Sequence, residues 1–305
     1  MTRQIIVMFC SLFCFVLGPA AAAAAAAEPG PAPNRGALFK VQRDGRALYL
    51  FGTIHVGSKD FYPLEPRVAG VLKKAPVLAL EIDPLGDPKK LALAVQKYGM
   101  VRAGGVTSSM TPEWRARLDR LLKQYNIEPA AVAPMKPWLL ASVLTVSEFA
   151  SQGYDAELAV DAHLAKQAHA SGQKIVELET PEGQMGLFGN LPAAEQQLFL
   201  QETIAGIEDK EQAKQAREIA DAWRTADVKA LDALAAQAEQ DETFSGRFVR
   251  KVLLEGRNPS LADSMVKLMA RENNSLAAIG ILHLVGKGSV PELLRHRGMT
   301  VERIY

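Results

Sequence analysis

Short apolar stretches separated by turn-forming residues predict the strands of this chain. The first two flank Arg43-Asp44-Gly45-Arg46, where the Asp-Gly pair favours the backbone conformation of a tight hairpin turn. Two later strands run into acidic residues, one at Glu81 and the other at Glu179. The predicted strands cover residues 38–42, 47–51, 77–83, 174–179, 276–281 and 300–304.

Helical periodicity fills most of the chain between these strands. Residues 192–270 carry this periodicity without a strand signal, which predicts a helical insertion between the third and last strand regions. Other helices are predicted over residues 67–74, 112–125, 138–150, 155–170 and 290–297. Strands that alternate with helices indicate the α/β class, with a mixed central sheet and helices on both faces.

The N-terminus has the pattern of a secretory signal peptide over residues 1–27. Arg3 precedes an apolar stretch, Gly18-Pro19 ends it, and a run of alanines offers cleavage sites. An uncleaved anchor is the alternative, but the apolar stretch is shorter than the roughly 20 residues that span a bilayer. Cleavage predicts a periplasmic or secreted protein without a membrane anchor. Residues 28–37 are rich in Pro and Gly and predict a flexible lead-in to one domain over residues 38–305.

The charge balance and the positions of the cysteines limit which substrates and which metal ligands are expected. The chain has 35 basic and 34 acidic side chains and no long run of either sign, which argues against nucleic acid and favours a peptide or small-molecule substrate. Both cysteines, Cys10 and Cys14, lie in the predicted signal peptide. After cleavage any metal ion must therefore be held by His, Asp or Glu.

Two of the five histidines stand in the same local pattern. His55 and His283 each follow an apolar strand and a glycine, in Gly52-Thr53-Ile54-His55 and Gly280-Ile281-Leu282-His283. Ligands bind at strand ends in open α/β sheets, and a glycine there permits close approaches that a Cβ would block. The paired pattern favours a functional site over two strand-end histidines that only bond the backbone. His163, His169 and His296 have polar neighbours and are predicted at the surface.

Glu81 adds a carboxylate to the two histidines. It lies in the apolar sequence Val77-Leu78-Ala79-Leu80-Glu81, where an unpaired charge would be costly. A divalent ion bound by His55, Glu81 and His283 would compensate the charge of Glu81. Three such ligands leave coordination positions of the ion open for water and substrate. The alternative is that Glu81 pairs with an arginine or caps a helix.

Three further polar residues are candidates for supporting roles. Glu179 ends its predicted strand, and Arg257-Asn258 precedes a predicted helix. An arginine there can hold a carboxylate through two parallel hydrogen bonds. A solvated edge strand and a helix cap are the alternatives for these positions.

These residues also carry a resemblance: the sequence resembles the TraB/GumN family, which includes the TIKI membrane-associated proteases. The resemblance implies a metal-dependent hydrolase, distantly similar to erythromycin esterases, with His55, Glu81 and His283 as catalytic and metal-binding residues. TIKI proteins are described as metalloproteases that depend on manganese- or cobalt-type ions, whereas the sequence does not distinguish Mn, Co, Zn or Fe. The supporting residues of the matching motifs are Gly52, Gly280, Asp155, Glu179, Arg257 and Asn258.

The leading hypothesis is an exported metal-dependent hydrolase that resembles a peptidase. In it Glu81 is either a third metal ligand or the base that takes a proton from the attacking water. A second hypothesis is an esterase-like hydrolase without metal, in which a histidine is the base. The third is a periplasmic haem-binding or ligand-binding protein, because the wider superfamily includes ChaN-like haem-binding proteins and histidine is also a haem ligand.

Overall fold

A computed structural model of the protein describes residues 32–101, 105–108 and 110–305. The predicted signal peptide and the first residues of the lead-in lie outside this part of the chain. No helix among the described residues has the length and apolar character to cross a lipid bilayer.

The centre of the fold is a mixed six-stranded sheet with strand order β4-β3-β5-β2-β1-β6. The strands β2, β5, β3 and β4 are mutually parallel, and β1 is antiparallel to both of its neighbours. The bounds are β1 Leu38–Arg43, β2 Arg46–Thr53, β3 Val77–Leu80, β4 Lys174–Glu177, β5 Ser275–Gly280 and β6 Thr300–Arg303. This sheet, with helices packed on it, confirms the predicted α/β class.

The hairpin of β1 and β2 follows from its turn sequence. Asp44 has φ of 52° and Gly45 has φ of 74°, the left-handed conformations that an Asp-Gly hairpin turn adopts. The strands β3 and β4 end earlier than their apolar patterns predict, because the chain bends after Leu80 and after Glu177. Glu81 and Glu179 therefore lie just beyond the strands, at the edge of the sheet.

The helices occupy the connections between strands, and most begin with a proline in the first turn. Short 3-10 segments are Lys59–Phe61, Ala156–Leu158 and Ile281–His283, and π-helical segments are Val95–Gly99 and Val249–Glu255. The α-helices are α1 Pro66–Lys74, α2 Pro88–Ala94, α3 Pro112–Gln124, α4 Pro129–Val132, α5 Pro137–Ser151, α6 Val160–Ser171, α7 Pro181–Gly189, α8 Ala193–Glu208, α9 Glu211–Arg224, α10 Val228–Gln240, α11 Phe244–Phe248, α12 Asn258–Arg271 and α13 Val290–His296.

Two hydrophobic clusters support these elements. One surrounds the sheet and includes the buried faces of α1, α6, α9, α10, α12 and α13. The other is built chiefly from α2, α3, α5, α7 and α8. The segment between β4 and β5 contains helices joined by turns and no strand, in agreement with the helical periodicity of residues 192–270. Its helices are divided between the two clusters, and α8 packs with helices that precede β4.

Candidate active site

The candidate residues meet at one edge of the sheet because three neighbouring parallel strands end there. Glu81 directly follows β3, and Gly280 is the last residue of β5. His55 lies two residues beyond β2, and His283 ends the 3-10 turn that follows β5. The carboxyl ends of parallel strands share one edge, so the two Gly-x-x-His segments and Glu81 are brought together there.

Gly280 marks the point on which the three side chains converge. A Cβ on Gly280 would lie 3.4 Å from Oε1 of Glu81, 3.4 Å from Nε2 of His55 and 3.6 Å from Cδ2 of His283. Nε2 of His283 is 4.0 Å from Oε1 of Glu81. The absent side chain of Gly280 therefore leaves a small polar space bounded by two imidazoles and one carboxylate.

This space belongs to a cleft with a largely apolar wall. Helix α9 contributes Ile219, and the cleft is lined by Thr53, Ile54, His55, Ile219, Gly280, Ile281, Leu282 and His283. The two histidines are buried, with exposed fractions of 6% for His55 and 1% for His283. Polar interactions made in such a site are less weakened by water than at the surface.

Each imidazole is held through its Nδ1 atom. Nδ1 of His55 is 3.1 Å from Oδ2 of Asp161 on α6, and Nδ1 of His283 is 2.6 Å from Oδ1 of Asn258 on α12. The side-chain amide of Asn258 in turn donates to the carbonyl of Gly288 at 2.8 Å, which identifies Oδ1 as the atom facing His283. With Nδ1–H as donor to Oδ1 of Asn258, the His283 ring has its lone pair on Nε2. The same tautomer in neutral His55 directs its Nε2 lone pair towards the space beside Gly280.

The carboxylate of Glu81 is surrounded by donors. Its Oε1 accepts the backbone N–H of Gly280 at 2.7 Å, and its Oε2 accepts the Gln184 side-chain amide at 3.1 Å. Arg257 makes a buried ion pair with the same Oε2 atom. The alternative in which Glu81 pairs with an arginine is therefore what the structure contains.

Arg257 also holds Glu179 through two hydrogen bonds. Its Nε donates to Oε1 of Glu179 at 2.9 Å, and its Nη2 donates to Oε2. The backbone N–H of Glu179 donates to the carbonyl of Glu81 at 2.9 Å, so the two acids lie side by side beyond β3 and β4. Gln184 bonds both carboxylates. The bidentate clamp considered from the sequence is present, with Glu179 as its carboxylate.

Burial and neighbouring charges shift the pKa of each group at this centre. Burial alone raises the pKa of Glu81, but Arg257 and the two imidazoles outweigh it and hold that pKa well below its ordinary range. Burial lowers the pKa of Arg257, yet Glu81 and Glu179 raise it overall. Glu81 and Arg257 are therefore both charged at neutral pH.

The two histidines are shifted in opposite directions. For His283, burial and the charge of Arg257 lower the pKa to about 3, which keeps this imidazole neutral. For His55, burial opposes protonation, but Asp161 and then Glu81 more than offset it and raise the pKa. Opposed shifts on paired groups in a cleft are a property that active sites share with some structural ion pairs.

Gly52 is required for a different reason than Gly280. A Cβ on Gly52 would lie 2.3 Å from Cδ1 of Ile281, so the first Gly-x-x-His segment packs directly against the second. The carbonyl of Gly52 accepts the indole N–H of Trp223 at 2.8 Å. These contacts fix the backbone that leads to His55.

The remaining candidate, Asp155, lies outside this cluster. Its exposed carboxylate accepts the N–H of Glu157 at 2.8 Å, and its backbone pairs with that of Gly57. Asp161 is the acid that contacts His55, and it belongs to none of the candidate motifs in the sequence. Its one signal is an acidic residue in the first turn of α6, which is also typical of a favourable helix N-terminus. Gln184 likewise belongs to none of these motifs.

Among the described residues, no group of three or more His, Cys, Asp or Glu side chains is arranged to hold a metal ion. The donors beside Gly280 nevertheless have the right chemistry for one. The imidazoles are anchored at Nδ1, as metal-binding histidines are by a carboxylate or carbonyl partner. Nε2 of His283 and Oε1 of Glu81 are 4.0 Å apart. This separation is within twice a metal–ligand distance of about 2.1 Å, so a single ion between the two atoms would be in reach of both.

Comparison with known proteins identifies the family. The model of the TraB/PrgY/gumN family matches residues 37–303. The chain belongs to this family. An uncharacterized protein named YbaP from Escherichia coli (strain K12) is 26% identical over 250 residues, which cover 82% of this chain and 88% of YbaP. The uncharacterized YbaP of Shigella flexneri has the same identity and coverage. No solved structure matches the chain.

Membership of the TraB/PrgY/gumN family confirms the resemblance drawn from the motifs. The matched range begins just before β1 and ends with β6, so it covers the sheet, both Gly-x-x-His segments and the helices between them. The names of the YbaP proteins state no activity. The function of this member therefore has to be inferred from its own side chains.

Proposed function

We propose that this protein is an exported metal-dependent hydrolase whose centre is formed by His55, Glu81 and His283. The observation that carries the proposal is the convergence of two Nε2-presenting imidazoles and one ionised carboxylate around Gly280, inside a cleft at the carboxyl edge of the sheet. Attack by water on an acyl bond is the reaction class that such a centre supports.

His55 and His283 would hold the ion through Nε2, with Glu81 as the third ligand. A divalent ion bound there would lower the pKa of water and polarise a carbonyl oxygen. Asp161 and Asn258 orient the two imidazoles, and Gly280 leaves the space. The choice among Mn, Co, Zn and Fe is left open by this donor set.

Arg257 favours the ligand role of Glu81 over the role of base. A general base works best when its pKa lies near the working pH, and the pKa of Glu81 is held well below its ordinary range by Arg257 and the imidazoles, against the effect of burial. Glu81 therefore stays ionised and is a weak proton acceptor. Its constant negative charge suits electrostatic stabilisation of a cation.

A peptide bond is the proposed target of this hydrolase, and this choice rests on the family resemblance. The cleft supports it to the extent that Ile219 and Leu282 offer apolar contacts to a substrate side chain beside the imidazoles. The burial of both histidines favours a small ion or a water molecule over a porphyrin, which would need a wide opening at one imidazole.

A hydrolase that uses no metal is a second candidate, favoured by the His55–Asp161 contact. Here Nε2 of His55 takes a proton from water as the water oxygen bonds to the acyl carbon and the carbonyl electron pair moves onto its oxygen. Asp161 stabilises the resulting imidazolium, which gives the proton to the leaving group as the carbonyl re-forms and the acyl bond breaks. The raised pKa of His55, where the carboxylates of Asp161 and Glu81 outweigh burial, suits this role. The ion pair of Glu81 with Arg257 also leaves less need for a metal ion to neutralise that acid.

The two candidates are separated by hydrolysis assays on a mixture of synthetic peptides, with products followed by mass spectrometry. We expect cleavage by the wild-type protein, its loss with a chelator, its recovery on adding back Mn²⁺, Co²⁺ or Zn²⁺, and its loss in His55→Ala and His283→Ala. His169→Ala is the matched control, because His169 lies at the surface and pairs with Asp83. Cleavage that survives the chelator but not His55→Ala would favour the metal-free candidate. Cleavage that survives both histidine substitutions would refute the proposed centre.

Export is the remaining part of the proposal and rests on the N-terminal sequence. Cell fractionation and N-terminal sequencing of the purified protein test it. We expect a mature chain that begins within the alanine run or just after it, recovered from outside the cytoplasm. An intact N-terminus on cytoplasmic protein would contradict export.

A further inference from the structure

Thr53 is a buried polar residue of the cleft that neither candidate mechanism uses. It is the last residue of β2, it is 1% exposed, and it lines the cleft together with His55 and His283. Its hydroxyl has no hydrogen-bond partner among the described residues. A hydroxyl can donate one hydrogen bond and accept two, and leaving it buried without any costs free energy.

The strand register places the Thr53 side chain on the side of the sheet that faces His55 and Glu81. Thr53 lies opposite Gly280 in the parallel pairing of β2 with β5. Neighbours in register on parallel strands direct their Cβ bonds to the same face of a sheet. The missing Cβ of Gly280 faces His55 and Glu81, so the Thr53 side chain lies on the same side as these groups.

Packing alone does not explain a threonine here. Valine has nearly the same shape and would fill a buried strand end without a polar atom to satisfy. A buried hydroxyl without a partner among the described residues, on a side chain that lines a cleft beside two imidazoles, is instead suited to a polar atom that enters the cleft.

We propose that the Thr53 hydroxyl binds an oxygen of the carbonyl or carboxylate group that enters this cleft, which makes Thr53 a further substrate-binding residue. The inference rests on the proposed hydrolase function, because acyl substrates and their acid products carry such oxygens. Thr53 donates through its O–H, and the apolar lining from Ile54 and Ile281 limits competition from water.

Binding of acetate, a small acid product of acyl hydrolysis, tests the proposal without turnover. The melting temperature of the purified protein is measured over a series of acetate concentrations, against chloride at equal ionic strength, for wild type, Thr53→Val and Thr53→Ser. We expect acetate to stabilise wild type and Thr53→Ser, and the apparent dissociation constant to rise at least about fivefold in Thr53→Val. Without acetate, the melting temperature of Thr53→Val is expected to equal or exceed that of wild type, because no protein hydrogen bond is lost.

Three outcomes would overturn the inference: no acetate-dependent shift in wild type, equal acetate affinity in wild type and Thr53→Val, or a lower melting temperature of Thr53→Val without acetate. The last would show that the hydroxyl has a structural role. The proposed hydrolase fails by a different result, when peptide cleavage is absent or survives His55→Ala. Acetate binding that depends on Thr53 in a protein without cleavage would retain the binding site and reject the hydrolase.

Discussion

Replacing Arg257 by methionine tests the electrostatic arrangement on which the site depends. Arg257 is 4% exposed and is the cation that contacts both Glu81 and Glu179. Methionine has a similar length but no charge, so the substitution leaves two carboxylates at the centre without their cation. Removing one partner of a buried ion pair costs about 3–5 kcal/mol, and this is the loss of unfolding free energy that we expect at pH 7.

The pH dependence of this loss has a defined sign. In the wild type, burial raises the pKa of Glu81, but Arg257 and the imidazoles lower it below its unfolded value, so Glu81 contributes stability above that value and loses it as the pH falls. Without Arg257, burial dominates and the pKa of Glu81 rises above its unfolded value. The variant then gains stability from protonation, so the difference from wild type should shrink between pH 7 and pH 5.

Urea unfolding at both pH values measures the effect, with Arg120→Met as the matched control. Arg120 pairs with Glu208, but its side chain is 64% exposed, and such surface pairs contribute at most about 1 kcal/mol. A loss of less than about 1 kcal/mol in Arg257→Met, or a loss that grows on acidification, would refute this account of the buried charges.

Further substitutions test individual features of the site. His283→Gln should flatten the pH dependence of stability. Burial and the charge of Arg257 lower the pKa of His283 to about 3, below its unfolded value of about 6.5. Wild type therefore loses up to about 1.4 kcal/mol of stability per pH unit as the pH falls from 6.5 towards 3. An unchanged pH profile of unfolding in His283→Gln would contradict this. Asp161→Asn should lower the rate of hydrolysis about 10–100-fold by disturbing His55, whereas the control Asp155→Asn, at an exposed position, should change it less than about twofold. Equal effects of the two substitutions in an enzyme assay would contradict the role of Asp161 in orienting His55. Gly280→Ala should keep its melting temperature but lose activity, because the added Cβ fills the space at 3.4 Å without a clash, whereas Gly52→Ala, at 2.3 Å from Ile281, should lose about 1–3 kcal/mol of stability. Full activity in Gly280→Ala would show that the space is not used.

Local patterns in the sequence were sufficient to identify the strands whose ends form the site, although β3 and β4 end earlier than predicted. The Asp-Gly hairpin, the acid that follows the apolar sequence of β3 and the two Gly-x-x-His segments are each set by residues adjacent in the chain. Parallel pairing of the strands then brings these segments to one edge. The α/β class was predicted from the alternation of strand and helix patterns along the chain.

The contacts that define the chemistry depend on residues far apart in the chain. Arg257 is separated from Glu81 by 176 positions and Asp161 from His55 by 106, and no local periodicity pairs them. The sequence left open whether Glu81 meets a metal ion or an arginine, and the position of α12 decides the presence of the arginine. The second hydrophobic cluster also joins helices from before and after β4, which periodicity alone does not reveal.

The metal content of the purified protein tests the central claim most directly. The protein should be prepared without a His-tag and analysed for Mn, Co, Zn and Fe, together with His55→Ala, His283→Ala and the surface control His169→Ala. We predict one divalent ion per chain in wild type and in the control, and its loss in both variants of the cleft histidines. A folded wild-type protein that contains no metal and still cleaves peptides at its full rate in a chelator would contradict the metal-dependent account.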